Sequence, residues 1–377
     1  MTTLIQSVPQ RKSFSAHNPW LQIAWDSTSL GEAKTCWRKY ALGIVLGFQP
    51  RHMSHHLRYG QLYHRVLEVY DHKTFEGMSH DEAQHFMLRD LAEGCQDLVP
   101  DDNVSGLVQT TEDFTSLLDA PVAKNYSVDS VVQQDTNLKR VWWDPNEFLS
   151  DAKAAANAKT IPNLFRTAVW YTERFRNDTL RTVRLANGKP AVELSFRFEL
   201  GSTNAFGEQL LYCGHLDRLA VDEAGSQWVV DRKTTGSTIG FGFFNQYNPD
   251  NQMSGYTVGA HVTLGVPAKG VIIDAVQIAK GFSRFERGYA NRSQAQLDEW
   301  LSTTTFYITT LAAAFAQKAN DGAGIDAFPM NDKACHNYNG CQFRDQVCSK
   351  DPRMRQAFLE GNFKRRFWDP LEVRGDI

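Results

Sequence analysis

Between residues 192 and 200 the chain alternates strictly, with Val192, Leu194, Phe196, Phe198 and Leu200 set against Glu193, Ser195, Arg197 and Glu199. A period of two is that of a strand with one buried and one wet face. Two further extended runs, 210–221 and 227–235, flank Asp222-Glu223-Ala224-Gly225-Ser226, whose composition predicts a hairpin loop. A helix is expected over 251–264 and a short apolar strand over 270–278. Upstream the period lengthens. Ser29-Leu30-Gly31-Glu32 reads as a capping box opening a helix that runs through Cys36 and Tyr40. A second helix starts near Tyr59, with Leu62, Val66 and Val69 at helical spacing and His64 on a neighbouring face. The order helix, strand, strand, strand, helix, strand predicts an α/β core on a mixed sheet.

Residues 79–178 are mixed, with helices expected over 81–94 and 163–175 and a polar, aperiodic stretch at 133–144. The span 77–185 reads as a mainly helical insertion. The expected divisions are N-terminal helices (1–76), the insertion (77–185), the core (186–290), and a C-terminal helix with a cysteine-rich region (291–377).

The chain of 377 residues is 42% apolar, enough for a packed core, which excludes a disordered protein. It has no apolar run near the 18 or so residues of a membrane helix, and Met1 to Ser15 lacks the apolar stretch of a secretory signal. A cytoplasmic protein with no membrane partner is expected. The 40 basic and 43 acidic side chains, net −3, argue against a generally basic nucleic-acid coat. They leave room for a local basic groove, because charges beyond about 8 Å are screened.

With the hairpin loop centred on Ala224, opposed residues have numbers summing to 448, so Asp217 faces Asp231. Lys233, two residues beyond Asp231, shares that face, and Leu219 and Val229 lie deeper on it. Opposed carboxylates repel, and a divalent cation between them removes the cost. Mg²⁺ or Mn²⁺ suits such an oxygen-rich site, with Lys233 to orient or activate a water and neutralise phosphoryl charge. A solvated Asp231–Lys233 surface pair is the alternative.

These segments resemble a known family. Glu193-Leu194-Ser195-Phe196, Gly214-His215-Leu216-Asp217-Arg218 and Val229-Val230-Asp231-Arg232-Lys233-Thr234-Thr235 look like the core of the PD-(D/E)XK nucleases, in their RecB/AddB-like branch. Gly60-Gln61-Leu62-Tyr63-His64 matches that branch's helical Gly-x-x-x-His element, and Gln252-Met253-Ser254-Gly255-Tyr256 its Gln-x-x-x-Tyr element. The resemblance implies that His64, Asp217, Asp231 and the carbonyl of Arg232 bind metal. It implies that Lys233 serves the attacking water and that Gln252 and Tyr256 support the site and the DNA strand, with Glu193 a further candidate. The implied activity is a metal-dependent deoxyribonuclease, an exonuclease on DNA ends or single strands in recombination, repair or DNA processing, with a helicase or recombinase as candidate partner. A non-catalytic DNA-binding subunit of the same fold is the alternative.

Cys335-x5-Cys341-x6-Cys348 places three thiols within 14 residues, with turn-forming Asn337, Asn339 and Gly340 between them. Three thiolates need a fourth ligand, and Cys36 is the candidate. Ser27-Thr28-Ser29-Leu30 with Cys36 and Tyr40 resembles the N-terminal element of the iron–sulfur members of that branch, which implies a 4Fe–4S cluster stapling the chain ends. Trp37 stands where that element has proline, and the C-terminal spacing is longer than usual. A zinc site using His336, or free thiols, are the alternatives, and Cys95 and Cys213 read as structural.

His52, His55 and His56 beside Arg51 and Arg58 read as a polar loop near the site's mouth. Lys364-Arg365-Arg366-Phe367-Trp368 reads either as a single-strand contact or as a helix end with its aromatics turned inward. Trp142, Trp143 and Trp170 are expected in the core. The chain has no Walker motif, so no P-loop motor is expected.

Overall fold

The computed structural model describes residues 8–100, 138–147, 149–265 and 267–372. In chain order the strands are β1 (Ala24–Trp25), β2 (Phe48–Pro50), β3 (Gln96–Pro100), β4 (Leu138–Trp142), β5 (Arg181–Thr182), β6 (Val192–Thr203), β7 (Gln209–Val221), β8 (Gln227–Thr235), β9 (Gly270–Ile278), β10 (Ser283–Asn291) and β11 (Phe363–Arg365). The helices that matter here are α1 (Ser27–Thr35), α2 (Trp37–Tyr40), α3 (His55–Phe75), α4 (His80–Gly94), α5 (Asp151–Ala156), α6 (Ile161–Arg174), α7 (Phe241–Asn245), α8 (Asn251–Leu264) and α9 (Gln294–Phe306).

Seven strands make one mixed sheet, with β7 as its pivot. One end of β7 pairs antiparallel with β6 and parallel with β1, and the other antiparallel with β8 and β5. The β7–β8 hairpin has the expected register, from Arg218↔Val230 to Val221↔Gln227. β8 runs parallel to β9, so the chain must cross over, and α7 and α8 form the crossover. β10 then returns antiparallel to β9.

Helices cover both faces. Leu30 of α1, Met253 and Tyr256 of α8 and Trp300 of α9 join Leu219, Val229 and Ile273 in the main core. On the other side Tyr63, Val66 and Leu67 of α3 pack with Met87 and Leu91 of α4, Leu164 and Ala168 of α6, and Val276 and Ile278. α8 lies close on the sheet because two of its contact positions are glycine. A Cβ on Gly255 would stand 2.5 Å from the Tyr212 hydroxyl, and one on Gly259 2.5 Å from the Phe196 ring.

Several expectations change. The first helix is capped by Asp26, not Ser29: Asp26 accepts the Ser29 N–H, and the Ser29 side chain accepts the Asp26 N–H. It ends at Thr35, because Cys36 is extended and separates it from α2. α3 starts at His55, so His55 and His56 are its first turn rather than a loop. The insertion is not only helical, since β3 and β4 pair within it. Of the aperiodic stretch 133–144, residues 133–137 lie outside the described residues, as does the 101–132 part of the expected helical insertion, while 138–142 form β4. Trp142 and Trp143 are partly buried, whereas Trp170 is 39% exposed, with the Arg166 guanidinium 4.8 Å from its ring centre.

The basic–aromatic stretch near residue 365 is mainly structural. β11 pairs with β2, Arg365 lies over Phe48 and donates to the Leu46 carbonyl at 2.7 Å, and the Trp368 indole donates to Asp26 at 2.9 Å. Among the described residues no helix is long and apolar enough to cross a membrane.

Candidate active site and metal centre

The β7–β8 ladder stops at Arg218↔Val230, one step short of the two carboxylates. There Asp217 Oδ2 accepts the main-chain N–H of Arg232 at 2.7 Å, and the strand ends open into an acidic notch. α3 brings His64 to it, with Nδ1 3.3 Å from Asp217 Oδ2. β6 brings Glu193. The pairs Val192↔Arg218 and Leu194↔Leu216 set Glu193 opposite Asp217, yet it is left out of the ladder and has φ +48°. A non-glycine residue in this left-handed region costs about 1–3 kcal/mol and persists where the surroundings demand it. Donor atoms of His64, Glu193 and Asp217 lie within 4.8 Å of one another, the one such group among the described residues.

The charges follow from this crowding. Burial pushes Glu193 up to about 7, with repulsion from Asp217 and Glu68 adding to it. Burial also pushes Asp231 up, to about 6, against the pull of Lys233. Burial acts the same way on Asp217, but His64, the Arg232 N–H and Lys233 outweigh it and hold that carboxyl well below the usual range. Burial disfavours the imidazolium of His64, and Asp217 and Asp231 overcome it, so its pKa rises. The carboxylates of Glu193 and Asp217 repel each other, and with the His64 imidazole they make a donor set suited to a divalent cation.

Asp231 lies outside that group of three and faces Lys233, whose Nζ is 2.8 Å from Oδ2. Lys233 Nζ also donates to Gln252 Oε1 at 2.9 Å, and Gln252 Nε2 donates to the Tyr256 hydroxyl at 2.7 Å. Gln252 and Tyr256 are neighbours one turn apart on α8, and α8 reaches Lys233 because it sits so close to the sheet. Burial works against the Lys233 ammonium, but Asp231 raises its pKa and keeps it charged. A permanently protonated lysine orients a water and stabilises negative charge rather than removing a proton.

Behind the notch runs a buried ionic network with no counterpart in the motifs. Arg232 bonds Asp71, and Arg218 Nη1 is 3.6 Å from the same carboxylate. Across the sheet Arg232↔Asp274↔Arg287 form one row, with the Tyr171 hydroxyl donating to Asp274 and Arg287 pairing with Asp178 at 2.7 Å. Asp71 and Glu68 were findable, since with His64 they sit at positions i, i+4 and i+7 of one helix. Arg218, Asp274 and Arg287 join only through strand pairing.

The segments that carry the four candidate cluster cysteines come together. The Asn331 N–H donates to Cys36 Sγ at 3.3 Å, Cys335 Sγ is 3.7 Å from the Asn331 carbonyl oxygen, and the Cys341 N–H donates to the Cys335 carbonyl. Burial pushes Cys348 up to about 11, with Cys341 and Cys36 adding to it, and Cys335 is raised by burial, Cys341 and Cys36. No three of these thiols lie within 4.8 Å of one another. His336 turns Nδ1 to Arg344 at 3.0 Å. Cys95 and Cys213 are buried elsewhere.

A family model of the PD-(D/E)XK nuclease superfamily matches residues 27–349. The chain belongs to that superfamily, and its sheet flanked by helices, with an acidic cluster at the strand ends, is the architecture of a metal-dependent nuclease. No curated protein matches. Matching solved structures include one titled "Crystal structure of SSO0001", at 11% identity and TM-score 0.24, covering 42% of this chain and 65% of that one. This chain thus spans less than two thirds of that protein.

Proposed function

We propose that the chain is a metal-dependent deoxyribonuclease of the RecB/AddB-like branch, acting on DNA ends or single strands in recombination, repair or DNA processing, alongside a helicase or recombinase. The observation that carries the reading is the meeting of His64, Glu193 and Asp217 beside an Asp231–Lys233 pair that is itself held by Gln252 and Tyr256.

His64, Asp217, Asp231 and the Arg232 carbonyl would hold Mg²⁺ or Mn²⁺, with Glu193 as a further ligand. The ion, when bound, lowers the pKa of water and neutralises phosphate charge. Lys233 holds the attacking water in line and offsets the charge growing on the phosphoryl oxygens. Gln252 keeps the ammonium from swinging onto Asp231 alone, and Tyr256 keeps the Gln252 amide turned with its oxygen toward Lys233. Asp217 and Asp231 are fixed by the Arg232 N–H and by Lys233, so little ordering remains when substrate arrives.

Cys36, Cys335, Cys341 and Cys348 would hold a 4Fe–4S cluster. Cys36 lies beside Asn331, four residues before Cys335, which supports a shared site. Binding there links residues about 300 apart, so the binding energy becomes folding energy.

The test is anaerobic purification, metal analysis and a nuclease assay on labelled single- and double-stranded DNA with Mg²⁺, Mn²⁺ or chelator. Metal-dependent cutting that disappears in Asp231→Ala and in Lys233→Ala is expected. Undiminished cutting by the double variant overturns the reading.

A further inference from the structure

The crossover after β8 carries four aromatics in seven residues, Phe241, Phe243, Phe244 and Tyr247. Three of them are partly buried against the main core, with Phe243 packed on Phe244 at 5.3 Å and on Tyr247 at 5.6 Å between ring centres. Phe244 lies on β10 where Gly288 leaves room, since a Cβ there would overlap its ring. Gly288 pairs with Ile273, and Ile273 with Asp231, so all three belong to one row across the sheet. Paired residues share a face, so Phe244 sits on the face that Asp231 occupies, two strands or about 10 Å away. Tyr247 is near enough to act on the charge of Lys233. The segment is firmly seated: Ile239 is buried before it, and Arg292 bonds the Tyr247 carbonyl at 2.7 Å, Asn248 at 2.9 Å and Ser254 at 3.1 Å.

Phe241 does the opposite of its neighbours. It is 87% exposed, the most exposed of the large apolar side chains described, between Gly240 and Gly242. A single exposed aromatic is ordinary on its own. This one stands three residues before Phe244 and six before Tyr247 in a segment anchored on both sides, and its ring forgoes the burial that the rest of the segment obtains.

We infer that Phe241 is a stacking platform for an unpaired base of single-stranded DNA, a nucleotide or two from the phosphate at the notch. The inference rests on the nuclease reading above and narrows its substrate. A flat apolar ring stacks on any base without reading sequence. Paired bases already stack within the duplex, so the platform favours single strands and frayed ends.

The experiment titrates full-length protein in Ca²⁺ against a single-stranded oligonucleotide containing 2-aminopurine, for wild type, Phe241→Ala and Phe241→Trp, and cleavage in Mg²⁺ is followed separately. Base–aromatic stacking is worth about 1–3 kcal/mol per base, equivalent to about 5- to 150-fold in affinity. The expected result is quenching by wild type and by Phe241→Trp, and in Phe241→Ala affinity lower by that factor with the quenching lost. Affinity for a blunt duplex should move less than twofold. Wild type that cuts the oligonucleotide without quenching, or Phe241→Ala that binds it as tightly as wild type, overturns the platform and leaves the nuclease reading standing. Wild type that neither binds nor cuts DNA overturns both.

Discussion

The guanidinium of Arg232 is bonded to the carboxylate of Asp71, which lies two turns beyond His64 on the same helix. One residue thus ties the notch together twice, since its main-chain N–H also holds Asp217. Asp71, Arg218 and Arg232 are all buried. Removing the carboxylate alone leaves two buried guanidinium groups uncompensated, and losing one partner of such a network costs about 3–5 kcal/mol. Asp71→Ala should therefore lower the unfolding free energy by about that much in urea. Asp71→Asn, which keeps the shape, should fold well enough for calorimetry and bind Mn²⁺ about 10–100-fold more weakly, because α3 no longer holds His64 in register with Asp217. Unchanged Mn²⁺ affinity in a folded Asp71→Asn protein would remove Asp71 from the site's support.

Glu193 pulls the other way. Its carboxylate is half-buried beside that of Asp217, on a backbone with φ +48°. Glu193→Gln removes the like charge and keeps the shape, so the metal-free protein should melt no lower than wild type, and at pH 8 higher. Its Mn²⁺ affinity should fall at least tenfold. Calorimetry and melting in chelator check both, and a variant that loses stability together with affinity would make Glu193 a structural residue.

For Lys233 the expectation is catalytic loss with little structural cost. Its ammonium meets Asp231 and Gln252 at the rim of the core rather than within it. Lys233→Met should lower turnover on DNA by about 10²–10³-fold, the usual loss for one pre-oriented charge donor. Its circular dichroism spectrum should match wild type. Turnover within threefold of wild type would sink the role.

What the amino-acid pattern disclosed depends on how local the cause was. The β7–β8 register was legible because the turn composition fixes the centre of the loop, whereas Gln252 and Tyr256 stood out only through the resemblance to a family element. Asp26 was hidden by a rival. Ser29 with Glu32 spells a capping box as well as Asp26 with Ser29 does, and the choice is settled by Trp368 from the far end of the chain. β10 is largely polar with a mid-strand glycine, and it pairs because β9 offers an edge and Phe244 fills the space over Gly288. The turn of Glu193 toward the notch is a backbone irregularity that an alternating pattern conceals. Trp170 reads as core by composition, but its position on α6 faces water and Arg166.

The thiols make a prediction that needs no DNA. Anaerobically purified protein should be brown, with a broad visible absorption that Cys341→Ser or Cys348→Ser abolishes. Loss of the cluster should also lower the melting temperature by several degrees, since it releases a loop of about 300 residues. Colourless protein containing one zinc per chain would replace the cluster with the alternative ion.

Lys159 supplies the test of pH dependence. The residue is 7% exposed, its ammonium lies 5.7 Å from the Tyr59 ring centre, and among the described residues no carboxylate forms an ion pair with it. Burial lowers its pKa from 10.5 to about 8. Its charge in turn helps burial depress His55 and His56. Below about pH 8 both folded and unfolded chains carry the proton, and the folded state bears the full penalty of a buried charge. Between about pH 8 and 10.5 the folded chain has released a proton that the unfolded chain still holds, so this contribution raises stability with pH across that window. Lys159→Met keeps the apolar stem and deletes the charge. It should be more stable than wild type at pH 7, on the order of 1–3 kcal/mol, and its advantage should shrink toward zero by pH 10.5. Urea unfolding of both proteins at pH 7, 9 and 10.5 measures the difference. An advantage independent of pH, or a methionine variant less stable at pH 7, would mean that the lysine is paired in solution and that its low pKa does not hold.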